Sequence, residues 1–411
     1  MSASVETIFA QMSDKAKKSA GDGLDKMLAI WSQPRVLLNL LSTMDVKKIM
    51  PGLNSGKKII TSIGGTTSPS FGAELRFNMI ADDKQVIVKD MGFRFALTKA
   101  TATTSYVVPY SAMIDYCELQ INGARVVRFS GETLFQNNIA NIKSAETTLL
   151  DSSEYNLDGD STNIASASVA LCRIRLDSFT PFIANVNFMK SCELVVKLKD
   201  YARCVDDDTL SVATTITDFK LEYNYIGNPD ARYLLLLKSA YDKSGIYFTM
   251  DDYRDSEYTF VATDEVLQLK NDLRMVTEIK FHILDVNSAT GSAVSYSDDM
   301  NTITSAVLYS NESGLVPYTN DKTIEISSAN LLSNVYLERG NDCVAQENVY
   351  IIPLDHEKND DIYSALNLKS NIDYSLKITG SVITDKIYIS YKSLVNVCLR
   401  KDGLWYINYA T

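Results

Sequence analysis

From Lys57 onward, apolar and polar residues alternate with a period of two for most of the chain; only the first fifty residues follow a helical spacing. In that first stretch Val5, Ile8, Phe9 and Met12 fall at i, i+3, i+4 and i+7, and Leu24, Met27, Leu28 and Trp31 repeat the spacing. The two sets are out of phase by about 100° on one continuous helix. Gly21 and Gly23 lie between them, so two short amphipathic helices with a hinge fit better than one long helix. Lys15, Lys17 and Lys18 sit between the two apolar sets, and Val36–Ile49 is compatible with a further helix ending before Pro51-Gly52.

The period-two region predicts strands over 58–63, 74–80, 85–97, 116–121, 125–129, 168–176, 192–198 and 215–225. One helical excursion is expected at Phe135–Lys143, and Ser144–Asn163 is a long polar loop. The clearest local signal is Val107–Phe129, in which Asn122-Gly123 separates two alternating runs. Asn-Gly supplies the positive φ angles of a tight hairpin, so these two residues are expected to form a structural turn. Gly227-Asn228-Pro229 then breaks the pattern. Apolar runs and an acidic stretch through Asp251–Asp255 read as a connector. A second series follows over 258–262, 266–269, 275–284, 304–309, 322–326, 334–338, 348–353, 372–378, 386–391 and 404–409, with Ser288–Asn301 as another polar tip loop. The expected organisation is an arm (1–55), a first β-sandwich (56–228), a connector (229–257) and a second β-sandwich (258–411).

Composition agrees with a β-rich reading. A chain of 411 residues exceeds one ordinary core, and its 23 Tyr suit pleated, half-buried surfaces. The net charge of -11 is unevenly divided. Residues 1–58 hold nine Lys/Arg against five acids, or +4; the rest holds 31 against 46, or -15. A basic arm on an acidic body suggests that the arm faces a different environment. Two readings stay open: a terminal helix packed on its own domain, or an arm that docks on a neighbouring subunit or a membrane surface. The six cysteines show no CxxC pair, which fits reduced, buried thiols. Val5–Met12 is too short and too interrupted for a signal-peptide core, and no run reaches the roughly 18–20 apolar residues of a membrane span, so a soluble protein is expected.

The sequence offers no catalytic constellation. It lacks GxSxG, a P-loop, GxGxxG, HExxH and zinc-type Cys/His spacing, so no metal or cofactor is expected. Only two histidines occur: His356 lies in a polar, acid-flanked run, and His282 alternates with Lys280 and Leu284 as a residue on a strand face. Adjacent acids such as Asp251-Asp252 and Asp206–Asp208 read as solvated loops, because neighbours on a strand point to opposite faces and cannot form a glycosidase pair.

With enzymology unsupported, architecture carries the reading. Two eight-stranded sandwiches, long tip loops and a basic amphipathic arm resemble the double jelly-roll major capsid proteins of tailless icosahedral viruses, including membrane-containing bacteriophages of the tectivirus and corticovirus type. The resemblance rests on Val108–Ile114 leading through a strand to Asn122-Gly123, on Thr180-Pro181-Phe182 ahead of 192–198, and on the strand 215–225 closing the half. In the second half it rests on Ala306–Asn311 ending near Gly314, and on Ser364–Leu368 as a short helix ahead of a strand. The second hairpin departs from the pattern by lacking Asn-Gly. The resemblance implies an all-β fold of two consecutive eight-stranded jelly rolls with an N-terminal amphipathic helical arm. It further implies a non-enzymatic virion protein, synthesised in the host cytoplasm, that forms pseudo-hexameric homotrimers tiling an icosahedral shell. Tip loops would project outward, and the arm (Val5, Ile8, Phe9, Met12, Lys15, Lys17, Lys18, Leu24, Met27, Leu28, Trp31) would meet an internal membrane, a neighbouring chain or minor vertex proteins. No specific nucleic-acid recognition is implied. The alternatives are a glycan-binding β-sandwich of the lectin or adhesin kind and, less in keeping with the motifs, a glycan-active enzyme on a β scaffold.

Overall fold

The computed structural model describes residues 54–80, 85–98, 105–142, 154–157, 168–207, 214–227, 238, 241–242, 245–260, 264–269, 275–284, 303–310, 324–327, 349–353, 366–367, 374–380, 385–401 and 403–407. Residues 1–53 of the N-terminal arm, with every arm residue named above, lie outside them, as do His356 and the tip loop Ser288–Asn301, while the last two positions assigned to the arm, 54 and 55, open the first strand.

Eight principal strands make up the first half: β1 (Asn54–Ile60), β2 (Glu74–Asn78), β3 (Gln85–Thr98), β4 (Ile114–Ile121), β5 (Ala124–Ser130), β6 (Ser168–Arg175), β7 (Cys192–Leu198) and β8 (Thr215–Gly227). They form two antiparallel sheets, ordered β1-β8-β3-β6 and β2-β7-β4-β5. The second half repeats the plan with β9 (Ile246–Phe260), β10 (Asp264–Gln268), β11 (Met275–Leu284), β12 (Ile303–Ser310), β13 (Ile324–Ser327), β14 (Tyr350–Pro353), β15 (Tyr374–Gly380) and β16 (Asp385–Arg400). Its sheets are ordered β9-β16-β11-β14 and β10-β15-β12-β13. Adding eight to each strand number of the first half reproduces the second. Among the described residues, each half thus has the jelly-roll order, with principal strands 1, 8, 3, 6 in one sheet and 2, 7, 4, 5 in the other; Phe182–Ile183 adds to the first half beside β3, and Gly403–Ile407 to the second beside β16.

Alternation explains the first core. Phe77 on β2, Phe93 on β3 and Phe219 on β8 point inward from opposite sheets, with ring centroids 5.0–6.3 Å apart. Opposite them in the sequence period stand the exposed partners of β2, Glu74 and Arg76. Asn122 (φ 53°) and Gly123 (φ 78°) join β4 to β5 with both turn residues in the left-handed region, the geometry of a two-residue hairpin. Asn122 also reaches beyond the turn: its Oδ1 accepts from the amides of Lys190, at 2.6 Å, and Ser191, at 3.3 Å. Cys117, Cys172, Cys192, Cys204 and Cys398 are buried free thiols. Burial pushes the first four up in pKa, so they pack as small hydrophobes.

Several segments differ from the reading by pattern. Residues 246–257, assigned there to the connector, lie within β9, which pairs with β16 without a register break from Ile246↔Leu399 to Phe260↔Asp385. The acids that suggested a solvated linker are matched across the ladder: Asp251 lies 3.3 Å from Lys392, and Tyr388 donates to Asp255. Leu366–Asn367, expected within a short helix, are extended and pair with β11 at Val276 and Met275. The four residues Glu154–Leu157 of the long polar loop are tied to the body, with Asn156 Nδ2 donating to the carbonyls of Val107 and Val108 and Leu157 buried. A polar sequence cannot reveal that a loop side chain will satisfy buried backbone carbonyls elsewhere.

The helix comes earlier than expected. It is α1 (Gly131–Ala140), and it begins directly where β5 ends. Ser130 caps it by accepting from the Thr133 amide at 3.2 Å, and Glu132 sits in the first turn, where the helix dipole favours an anion. All ten of its residues are buried. Gly131 permits the close approach: a Cβ there would stand 2.0 Å from the Ile114 carbonyl oxygen and 2.8 Å from that of Ser111. Gly131→Ala is therefore expected to cost about 3 kcal/mol of unfolding free energy in chemical denaturation. Gly123→Ala, whose Cβ would meet open space but must adopt positive φ, is expected to cost only about 1 kcal/mol.

Candidate functional site: a buried polar joint between the rolls

The sheet β9-β16-β11-β14 is covered on both sides. On β11, Ile279, Phe281 and Ile283 enter the core of the second roll with Ile389 and Tyr391 of β16. The intervening Glu278, Lys280 and His282 point the other way, and all three are buried as well. What covers them is the first roll, chiefly α1. At their far ends β9 and β16 also contribute Ile246, Met250, Val395, Val397 and Leu399 to the apolar cluster of the first roll. The second roll thus shares one sheet between two hydrophobic cores.

Helix α1 presents Glu132 and Gln136, one turn apart, to that sheet. Lys199, just beyond β7, donates to Glu132 Oε1 at 2.6 Å, and His282 Nε2 faces Glu132 Oε2 at 3.4 Å. The Gln136 amide nitrogen lies 2.8 Å from His282 Nδ1 and 3.1 Å from the Tyr388 carbonyl oxygen, while the Ser390 hydroxyl meets Gln136 Oε1. Beside this chain, Lys280 donates to Asn137 Oδ1 at 2.6 Å, pairs with Glu278, and stands 5.4 Å from the centre of the Tyr253 ring. Asn137 in turn donates to Ser178 at 2.5 Å. The Tyr388 hydroxyl joins Ser130, at 2.7 Å, to Asp255. Aromatic edges close the cluster, with Phe135 5.1 Å and Tyr388 5.6 Å from the His282 ring.

Electrostatics follow from this geometry. Burial by itself would raise the Glu132 carboxyl, but the Lys199 ammonium and the His282 contact hold it well below the ordinary carboxylate range. Burial, reinforced by Asp255, pushes the Tyr388 hydroxyl well above the ordinary phenol value, so it serves as a donor. Two buried cations each meet a buried anion, Lys199 with Glu132 and Lys280 with Glu278. Such pairs roughly offset their own desolvation, yet losing one partner strands the other in a medium of low dielectric. The cluster is sealed, so its chemistry is that of a fastening.

Of the residues expected to act from the sequence, the described ones, Asn122 and Gly123, lie away from the joint. They stand at the other end of β5 from Ser130, and the named arm residues lie outside the described residues. His282 does lie on a strand face beside Lys280, but that face is covered by α1. The local signals were present in part, since Ser130-Gly131-Glu132-Thr133 is a capping sequence and Gln136-Asn137-Asn138 is unusually polar for a helix interior. Their partners stand 146 and 143 residues away for His282 and Lys280, beyond the reach of pattern.

Lys199→Met is expected to cost about 3–5 kcal/mol by leaving Glu132 uncompensated, and pairing it with Glu132→Gln should recover a large part of that loss in denaturation measurements. Because the Glu132 pKa is depressed in the folded chain, its stabilisation is present above the unfolded value of 4.5 and is lost as pH falls below it. Melting curves at decreasing pH should therefore fall more steeply for the natural chain than for Glu132→Gln.

The chain resembles known proteins in structure alone. No family model matches it, and no curated protein matches it. Solved structures do. One is PBCV-1 VP54, fitted into a reconstruction of the virophage Sputnik, with a TM-score of 0.64 and 12% identity, covering 86% of this chain and 96% of that one. The Faustovirus major capsid protein matches with a TM-score of 0.58 and 8% identity, covering 92% and 98%. The STIV MCP matches with 0.53 and 10%, covering 83% and 96%. At these identities the likeness is one of fold, extending over nearly the full length of each relative. The chain has the double jelly-roll fold of these viral capsid proteins.

Proposed function

We propose that the chain is the major capsid protein of a tailless icosahedral virus and a component of the virion. The observation that supports this most directly is the duplicated strand order. Two rolls of the same topology, fastened through one buried joint, give a single chain two similar rigid units. Three such chains would present six similar units around an axis, an outline that tiles a flat facet, so the working unit is a pseudo-hexameric homotrimer and the partner is a further copy of the chain. Likeness in fold to capsid proteins such as those of PBCV-1 and Faustovirus supports the same reading. The narrower assignment, to a tectivirus- or corticovirus-like bacteriophage, rests on sequence pattern.

The arm completes the proposal. Its amphipathic sets and the Lys15–Lys18 cluster suit the inner side of a shell, where they would meet acidic headgroups, a neighbouring chain or a minor vertex protein. The domain bounds 1–55, 56–228, 229–257 and 258–411 are retained as the working division, with β9 extending into the connector.

Negative-stain microscopy of the purified chain is expected to show flat, six-lobed trimers or shells, with a matching trimer mass by light scattering. A strictly monomeric chain at high concentration would sink the capsid reading. Deleting residues 2–33 is expected to leave the melting transition of both sandwiches in place while weakening assembly or the binding of anionic vesicles. Unfolding of the body by that deletion would place the arm in a core instead.

A further inference from the structure

The hydrogen bonds of the joint run in one direction, and that direction locates a proton. A carbonyl oxygen can only accept, so the Gln136 atom 3.1 Å from the Tyr388 carbonyl is the amide nitrogen, and Oε1 receives the Ser390 hydroxyl. The remaining amide hydrogen then points at His282 Nδ1, 2.8 Å away. Nδ1 must accept it, which leaves the ring hydrogen on Nε2, facing the Glu132 carboxylate. We infer that Gln136 is a positioning residue that selects the Nε2–H form of His282 and, through that single tautomer, keys the second roll to the first.

The opposite tautomer cannot be accommodated without loss. A hydrogen on Nδ1 would face the amide N–H across 2.8 Å, donor against donor. Turning the amide round would set Gln136 Oε1 against the Tyr388 carbonyl. His282 and Tyr388 are direct partners in the β11–β16 ladder, so Gln136 spans one specific rung of the sheet. A one-residue slip of β11 against β16 would turn His282 to the other face of the sheet and break its contact with Gln136. The charged and titratable groups packed about the ring already have partners of their own: Glu132 with Lys199, Glu278 with Lys280, and Tyr388 with Asp255. Gln136 is thus the side chain that meets Nδ1. The inference goes beyond the capsid reading, because it concerns a joint within one chain and holds or fails whether or not that chain assembles.

The test uses the full chain labelled with 15N-histidine. Only His282 and His356 contribute signals, and His356→Gln identifies which belongs to His282. At neutral pH the expected pattern for His282 is a bare, pyridine-type Nδ1 and a protonated Nε2. The reverse tautomer, or a doubly protonated ring, would overturn the inference whatever the variants do. Gln136→Glu, whose carboxylate accepts, is expected to draw a hydrogen onto Nδ1. Gln136→Met is expected to remove the preference and to lower hydrogen-exchange protection of the α1 amides by about tenfold or more. If both variants fold and keep the natural His282 pattern, Gln136 does not position the ring. If neither folds, the spectrum of the natural chain decides alone.

Discussion

Burying one sheet between two cores is the constraint on which the rest of this molecule depends. A β-strand has two faces, and in a sandwich that stands in water one of them is free to carry charge at little cost. In the second roll the sheet containing β11 and β16 has no such face. Glu278, Lys280 and His282 keep the polar character of an outer face but are as buried as the isoleucines and phenylalanine between them. Removal of these groups from water is costly unless each finds a partner, and the first roll supplies most of those partners through ten residues of helix.

That helix explains why the joint is specific as well as adhesive. An apolar contact between two rolls would tolerate small rotations, since dispersion and burial are nearly indifferent to direction. Hydrogen bonds between Gln136, His282, Ser390 and the Tyr388 carbonyl do not tolerate them. Gly131 fits under the Ile114 carbonyl, which seats the helix start against the first roll, and Ser130 both caps the helix and reaches the Tyr388 hydroxyl. One short segment is therefore pinned by the backbone of one roll and by the side chains of the other. Buried polar pairing of this kind fixes the orientation of two similar units more narrowly than apolar contact would.

Much of the fold was legible in the chain itself. Period-two alternation marked the eight principal strands of the first roll close to where they stand, because its sheets follow the ordinary rule of one buried face and one exposed face. Asn122-Gly123 could be read as a turn, since few other dipeptides accept two positive φ angles so readily. The second roll was harder, and for a physical reason. The acidic stretch in β9 looks like solvated linker until its partners across the ladder on β16 are known, and β11 looks like a half-exposed strand until α1 is laid over it.

The sequence by itself determined the class of structure: a β-rich body with two series of alternating strands, preceded by a stretch opposite to it in net charge. These properties are local, set by the period of the pattern and by residue chemistry within a few positions. Tertiary structure alone decided that the polar face of β11 is interior, that His282 meets Gln136 across 146 residues, and that Lys199 and Glu132 form a buried pair. Burial depends on what a surface is packed against. No local pattern of polar and apolar residues carries that information when both alternatives, water or a matching set of hydrogen-bond partners, satisfy the same side chains.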